Sequence, residues 1–315
     1  MFAGEIRITP QMLKLVAELD EFKGRWNAQA NPSPRVLEAW KRTQMLETIA
    51  SSARLHGSKL TDGETKEFLS GRYTTSFKSV DEEIVAGIFE LMDFILERFH
   101  DLGLEEKTIK ELHSELFQFA SKESRNPDEE FTSFIRIKEL MAAFSEDWEH
   151  SEWHLLILIP VFLGQFLAAR VYPEGNQRLA RGLMMLLLLK AGYKFIAYAS
   201  LDRVLEWNKK LYLSALSKSE RGGPTEWVLF FLECLVRQKN ILAKKLEKER
   251  MIDSMPRQSS KIIQALKEHA SLSIGELCGL LGDNRNTIKA HLYRLVEEQQ
   301  IKNEGKGKGT RYLLA

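Results

Sequence analysis

The chain has 315 residues, enough for two or three domains with a sizeable core. Its 45 Lys and Arg against 44 Asp and Glu give a net charge of +1, which excludes a polyelectrolyte and makes any basic site a local one. Two cysteines, Cys234 and Cys278, both in apolar helical patterns, exclude a disulfide scaffold and a cysteine metal quartet and point to a reducing compartment.

The first ten residues lack a basic stretch followed by an apolar one, so no secretory leader is expected and a cytoplasmic location follows. Thr9-Pro10 opens a helix, followed at helical spacing by Met12, Leu13, Val16, Leu19 and Phe22. Asn31-Pro32-Ser33-Pro34 breaks it, and a second helix is predicted from about Arg35 to Arg54 with Leu37, Trp40, Met45 and Ile49 as its buried face. The capped turn SSARLHGSKLTDGE ends it. Between Ser79 and Phe99, Ile84, Ile88, Leu91, Phe94, Ile95 and Phe99 form a broad apolar stripe, and a further helix is expected over 107–125. The run Leu155 to Ala169 is broken by Pro160, Gly164 and Gln165 and falls short of the roughly 20 residues of a membrane span, so it reads as a core helix.

The next stretch, VYPEGNQRLARGLMMLLLLKAGY, is a short loop feeding a Leu- and Met-rich helix. A Gly-containing loop at a helix N-terminus aims backbone N–H groups and the positive dipole end at one spot, which suits an anion. Arg178 and Arg181, three apart, share a face and reach the same place, and Glu174 is placed to hold Mg²⁺ against phosphate oxygens. The same residues also fit a plain helix-to-helix turn flanked by solvated charges.

Gly222-Gly223-Pro224 precedes a helix from Thr225 to about Met251, apolar early and charged late, and 253–259 is expected to be a linker. SSKIIQALKEHA, SIGELCGLLG and DNRNTIKAHLYRLVEEQQ then read as three helices, with Ser273 and Asp283 as N-cap candidates and Gly282 ending the second. A strand, a Gly/Lys turn and a second strand follow. Three helices and a two-stranded ribbon make a winged helix-turn-helix, whose third helix enters the DNA major groove. Arg285, Asn286, Thr287, Lys289 and His291 lie along that helix, and Lys306, Lys308 and Arg311 along the wing. A protein–protein platform is the other use open to such a module.

The stretch from Val171 to Tyr193 resembles the core motif of the Fic family, His-x-Phe-x-(Asp/Glu)-Gly-Asn-Gly-Arg-x-x-Arg, followed by a Leu-rich helix and Ala-Gly-Tyr. Glu174, Gly175, Asn176, Arg178 and Arg181 match it, Tyr172 replaces the Phe, Gln177 replaces the second Gly, and Arg170 stands at the position of the catalytic His. The resemblance implies AMP transfer from ATP with Mg²⁺ onto a protein hydroxyl, with that His as general base. Arginine cannot accept the proton, so no catalytic residue is assigned here. Ser52, His56 and Gly57 fall on the family's inhibitory motif, (Ser/Thr)-x-x-x-Glu-(Gly/Asn), where a Glu pairs with the second Arg. His56 takes the Glu position and, neutral, makes no ion pair with Arg181. His113 matches a family position that packs rather than reacts, and Asn208 one that contacts nucleotide. From Asn126-Pro127-Asp128 the chain passes almost directly into the helix bearing Leu140-Met141, which leaves little room for the family's target-docking hairpin.

The resemblance therefore implies a mainly α fold: an N-terminal helical arm over 1–75, a Fic-like core over 76–252, the linker, and a winged helix over 260–315 like that appended to many bacterial Fic proteins. Nucleotide binding is expected at Glu174, Gly175, Asn176, Gln177, Arg178, Arg181 and Asn208, with Mg²⁺ at Glu174. Three readings stay open: a pseudoenzyme that binds nucleotide or phosphate and regulates through DNA, an active adenylyltransferase with an altered site, and an interaction protein with an empty pocket. DNA and nucleotide are the expected partners. No membrane partner is expected, and a homodimer is compatible with the sequence.

Overall fold

In this computed structural model, residues 6–28, 32–71, 77–119, 130–220, 223–305 and 307–315 are described, with the backbone alone at 130–136, 220, 253 and 308. Fourteen α-helices occur among the described residues, in two compact units, Met1–Leu242 and Ala243–Ala315. None of those helices is long and apolar enough to cross a membrane.

In the first unit the helices run α1 (Pro10–Ala28), α2 (Pro34–Leu55), α3 (Asp62–Ser70), α4 (Val80–Arg98), α5 (Glu106–Leu116), α6 (Glu130–His150), α7 (Leu155–Ala169) and α8 (Asn176–Lys190). A 3-10 turn over 194–198, α9 (Leu201–Trp207), α10 (Lys209–Glu220) and α11 (Pro224–Ser254) follow, the last turns of α11 belonging to the second unit. The hairpin of α7 and α8 is the centre. Leu156 to Gly164 and Arg178 to Leu189 are buried without a break, as expected of helices apolar on every side. Pro160 lies inside α7, and its carbonyl accepts from Trp227 Nε1 at 2.7 Å. Gly182 lets α8 approach α4, since a Cβ there would lie 2.8 Å from Leu91 Cδ2.

The arm and core form one unit. Thr9 caps α1 by accepting from Met12 N, and Asp20 takes hydrogen bonds from Tyr193 Oη at 2.5 Å and His154 Nε2 at 2.9 Å. Burial raises the Tyr193 phenol pKa, and the Asp20 carboxylate adds to the shift. Two expected faces are corrected. Leu13 is exposed, while Trp26 joins the buried face of α1. In α2 only Ile49 of the expected face is buried; Gln44, Thr48, Ser51 and Ser52 are buried instead, because this half of the helix meets a polar seam from α9 and the 3-10 turn. Helix α5 ends at Leu116, short of the expected 107–125, and Asn126, Pro127 and Asp128 lie outside the described residues.

The second unit contains α12 (Arg257–Glu268), β1 (Leu272–Ser273), α13 (Ile274–Leu281), α14 (Arg285–Glu297), β2 (Ile301–Glu304) and β3 (Arg311–Leu314). Its sheet has three antiparallel strands in the order β1-β3-β2, where two were expected, because Leu272 and Ser273 pair with Tyr312 and Arg311. Ile262, Leu266, Leu277, Ile288, Leu292 and Ile301 make its core. Ile252 packs there too, and Ser260 Oγ donates to its carbonyl, so the units divide near Leu242 rather than over 253–259. Ser273 and Glu276 form a capping box at α13. Asn284, not Asp283, caps α14, while Asp283 accepts from Gln258.

Gly87 is where α4 and α5 come closest, for a Cβ there would run into the backbone carbonyl of Leu116, which cannot rotate away. Gly87→Ala is expected to lower unfolding free energy by about 1–3 kcal/mol through overpacking; urea denaturation of the two proteins measures it.

Candidate functional site

The loop between α7 and α8 is held by its own side chain. Asn176 Oδ1 accepts from Tyr172 N at 3.0 Å and Asn176 Nδ2 donates to the Tyr172 carbonyl, closing a tight ring over 172–176. Gly175 enters α8 at φ +81°, a conformation that suits glycine, and a Cβ there would collide with Phe117. Glycine also supplies no side-chain cap, so the first N–H groups of α8 meet no capping acceptor from Gly175. Tyr172 lies flat on His113, with centroids 3.6 Å apart at 11°.

One turn into α8 the two arginines part company. Arg181 is 2% exposed and tightly held: Nε donates to Ser52 Oγ at 2.9 Å, Nη2 donates to the Ser52 carbonyl at 3.0 Å, and Asp202 Oδ1 lies 3.0 Å from Nε. With Nε–H aimed at Ser52, the Asp202 contact is one of charge rather than a directed hydrogen bond. Arg178 is 5% exposed, and its guanidinium stacks 5.0 Å from the Phe117 ring centroid. Its Nε is buried with no hydrogen-bond partner among the described residues. Burial and the neighbouring Arg181 draw its pKa down to about 10, against the pull of Glu174, so it remains a cation at neutral pH. A buried cation with an unused donor at a helix N-terminus is a place for an anion.

Residues 103–188 match the family model for the Fic/DOC family. The likeness to Fic proteins thus lies in the stretch that carries the loop and α8. No curated protein matches. Among solved structures, a Fic family protein from Desulfovibrio desulfuricans G20 aligns over 98% of this chain and 97% of its own at 20% identity, with a TM-score of 0.61. Fic-1 (residues 134–508) from C. elegans aligns over 77% of this chain and 74% of its own at 13% identity and a TM-score of 0.59. A Fic domain containing signaling protein from Bacteroides thetaiotaomicron aligns over 76% and 97% at 16% identity and 0.56. At these identities the likeness is one of fold.

On this Fic frame the expected site residues separate. Arg170, at the position the resemblance gives to the Fic histidine, is exposed and caps α7 in the left-handed region, φ +46° and ψ +56°. Glu174 and Gln177 are exposed beside the start of α8. Asn176 is used by the loop, as described. Asn208 is also engaged: Nδ2 donates to the Val204 carbonyl at 2.8 Å, and Oδ1 accepts from Arg237 at 2.6 Å. Ser52 lies against Arg181, and Gly57 closes the end of α2 at φ +112°. His56, on the same turn, has its pKa pushed down to about 4 by loss of hydration on its inner edge and by the Arg178 and Arg181 guanidiniums. The ring is otherwise exposed, so solvent screens part of that repulsion. Three residues were missed in the sequence: Phe117, Asp202 and Arg237. An Asp in the first turn of a helix reads as ordinary dipole pairing, and nothing local marks Asp202 as buried.

In the second unit, Arg285, Asn286 and Lys289 are exposed on α14 as expected. Tyr293, missed in the sequence, extends their face; it is 63% exposed, with Lys289 Nζ 5.6 Å from its ring centroid. Thr287 is turned back to its cap, both N and Oγ1 donating to Asn284 Oδ1. His291 is half-buried, its Nδ1 2.9 Å from Ser259 Oγ, and so faces the unit's interior. Arg311 donates to Ser271 Oγ and carbonyl at 2.8 Å and pairs with Glu276 at 3.2 Å, which ties it to β1 and α13. Lys306 lies outside the described residues, and at Lys308 only the backbone is described.

Two groups give this site opposing pH dependences. Burial pushes the Asp202 carboxyl up to about 6, against the pull of Arg181 and Ser52. The folded state then holds the extra proton between the unfolded value and about pH 6, and Asp202 adds stability as pH falls through that window. His56, depressed to about 4, is protonated first in the unfolded chain, so its contribution is lost as pH falls from its usual value towards 4. Asp202→Asn is therefore expected to steepen the loss of stability on acidification, and His56→Gln to flatten it. Denaturation curves taken from pH 4 to 7 check both slopes.

Proposed function

We propose that this Fic-domain protein has lost AMP transfer, keeps a phosphate-binding guanidinium at Arg178, and acts on DNA through its second unit. Fic proteins generally transfer AMP or other nucleotidyl groups. The observation that carries the loss is Arg170: an exposed guanidinium capping a helix, where the resemblance requires a proton acceptor. Arginine stays protonated and cannot serve as that base. What supports a retained ligand is Arg178, whose buried Nε is the one unengaged donor of the motif's two arginines that lies beside no internal carboxylate among the described residues. An ATP phosphate would be held by Arg178 and by the first N–H groups of α8, with the exposed Glu174 as the carboxylate for Mg²⁺. Magnesium would supply charge neutralisation at the phosphate oxygens. Arg181, whose charge is paired with Asp202 and whose Nε and Nη2 serve Ser52, is left out of that set.

For the second unit, three helices with a short strand between the first two and a β2–β3 hairpin after the third support a winged helix-turn-helix. The exposed row of Arg285, Asn286, Lys289 and Tyr293 on α14 supports DNA as its partner, in place of His291 and Arg311, which are engaged inside the unit. One observation favours the second reading, an active transferase with an altered site: His56 is a neutral imidazole within the field of both motif arginines. A base with so low a pKa is a poor proton acceptor at neutral pH, so the reading ranks second. Label passed from ATP to protein and lost in His56→Ala would raise it to first.

Calorimetric titration of ATP with Mg²⁺ is expected to show micromolar binding that Arg178→Ala weakens roughly tenfold or more, since a charge-assisted hydrogen bond contributes about 1.5–3 kcal/mol. No heat from any nucleotide would overturn the phosphate reading. Lys289→Ala should weaken duplex DNA binding in anisotropy titrations and reduce its salt dependence by about one counterion. Binding unaffected by both Lys289→Ala and Arg285→Ala would remove α14 as the DNA face.

A further inference from the structure

Beside Arg181, the first unit holds a cavity of about 20 Å³ whose lining residues are all buried. Besides Thr48, four of its walls are polar: Gln44 from α2, Arg181 from α8, Asp202 from α9 and Gln238 from α11. Each carries a buried atom without a hydrogen-bond partner, namely Gln44 Oε1, Arg181 Nη1, Asp202 Oδ1 and Gln238 Oε1. The rest of the lining is mostly apolar, with Met184 and Met185 prominent. Polar groups removed from water without a partner are costly, and native proteins keep few of them. Four converging on one void need an explanation.

The orientation of the Gln238 amide is fixed by what its other end meets. Gln238 Nε2 donates to the carbonyls of Ile196 and Ala199, so its oxygen must face the cavity. Gln44 Nε2 donates to Thr48 Oγ1 at 2.9 Å, Thr48 donates to Ser200 Oγ at 2.9 Å, and Ser200 Oγ already accepts from Arg203 N at 3.1 Å. In this arrangement Gln44 Oε1 is left on the cavity side. The cavity therefore presents three acceptors and one cationic donor. An anion is repelled by the oxygens, and a metal cation by the guanidinium. An apolar occupant satisfies none of them.

We propose that this cavity is a binding site for a single water molecule. A void of about 10–15 Å³ or more holds one water, given two to four polar partners. Water matches the set: it accepts from Arg181 Nη1 and donates to Gln44 Oε1 and Gln238 Oε1, while Asp202 Oδ1 keeps the Arg181 charge 3.0 Å away. The bound water thus gives Arg181 Nη1 an acceptor, its Nε and Nη2 already serving Ser52, and joins α2, α8 and α11 through one molecule. The proposal stands apart from the phosphate reading, since neither Arg178 nor the loop lines the cavity.

A crystal structure of the full chain at a resolution that shows ordered solvent tests it. One density peak within about 2.7–3.2 Å of Gln44 Oε1, Gln238 Oε1 and Arg181 Nη1 is expected. An empty cavity, or Gln44 or Gln238 turned to bond Arg181 directly, overturns the proposal. In solution, the labelled methyl groups of Met184 and Met185 should show a nuclear Overhauser effect to water with the sign of a long-lived molecule, and its absence also counts against the site. Gln44→Leu should abolish both signals; if that variant does not fold, the wild-type density and methyl signals decide alone.

Discussion

The fold of the first unit hangs on one buried cation. Arg181 sits in the middle of the central hairpin, where an unpaired guanidinium would be very costly, and distant parts of the chain supply its counter-charge, Asp202, and acceptors for its Nε and Nη2 at Ser52. A buried pair of this kind adds little net stability over an apolar core, but removing one partner typically costs about 3–5 kcal/mol. Its worth is in specification. The end of α2, the start of α9 and the second turn of α8 have one mutual arrangement that satisfies the charge. The outer network of Arg54, Asp62, Arg203 and Glu206 ties α2, α3 and α9 together from the solvent side, with Arg54 2.5 Å from Glu206 and Arg203 2.6 Å from Asp62.

That arrangement decides what the neighbouring arginine can do. Two guanidiniums three residues apart on one helix face compete for counter-charge, and the protein's internal carboxylate goes to Arg181. Arg178 is left with an aromatic ring, which accommodates a cation but gives no hydrogen-bond acceptor, and with the distant field of an exposed Glu174. A buried donor without an acceptor is a standing demand for an anion, and the adjoining helix N-terminus makes the same demand through its dipole. The loop that precedes it needs no ligand to keep its shape, because Asn176 closes it onto Tyr172 and Tyr172 is stacked on His113. The loop is thus held in place beside the buried Arg178, and Arg170 stands at the position that the resemblance gives to the Fic histidine.

The second unit follows the same rule that polar side chains near a helix are either caps or contacts, seldom both. Thr287 and Asn284 are committed to the start of α14, and His291 to Ser259 in α12. The residues left outward repeat at four-residue spacing, Arg285, Lys289 and Tyr293, and the amphipathic Lys and Tyr side chains lie against each other.

Much of the architecture was legible in the chain itself. Helical periodicity located the α7–α8 hairpin, α4 and the three helices of the second unit, and local chemistry marked the Thr9 and Ser273 caps and the Gly282 stop. The Glu-Gly-Asn-Gln-Arg loop pointed to the site, because Gly at a helix entry and arginines at helical spacing act over a few residues. The roles within the site were not legible. Sequence weighted Arg178 and Arg181 alike, gave Asn176 and Asn208 to a ligand, placed an apolar face on α2 where a polar seam is buried, and gave no weight to Asp202. Most of these turn on partners far apart in the chain, such as Ser52 and Arg181 at 129 residues' separation, while Asn176 turns on Tyr172 four residues before it. Apolar burial repeats with the helix and can be read locally, whereas a buried polar group is defined by the atom it meets, and only tertiary packing brings that atom to it.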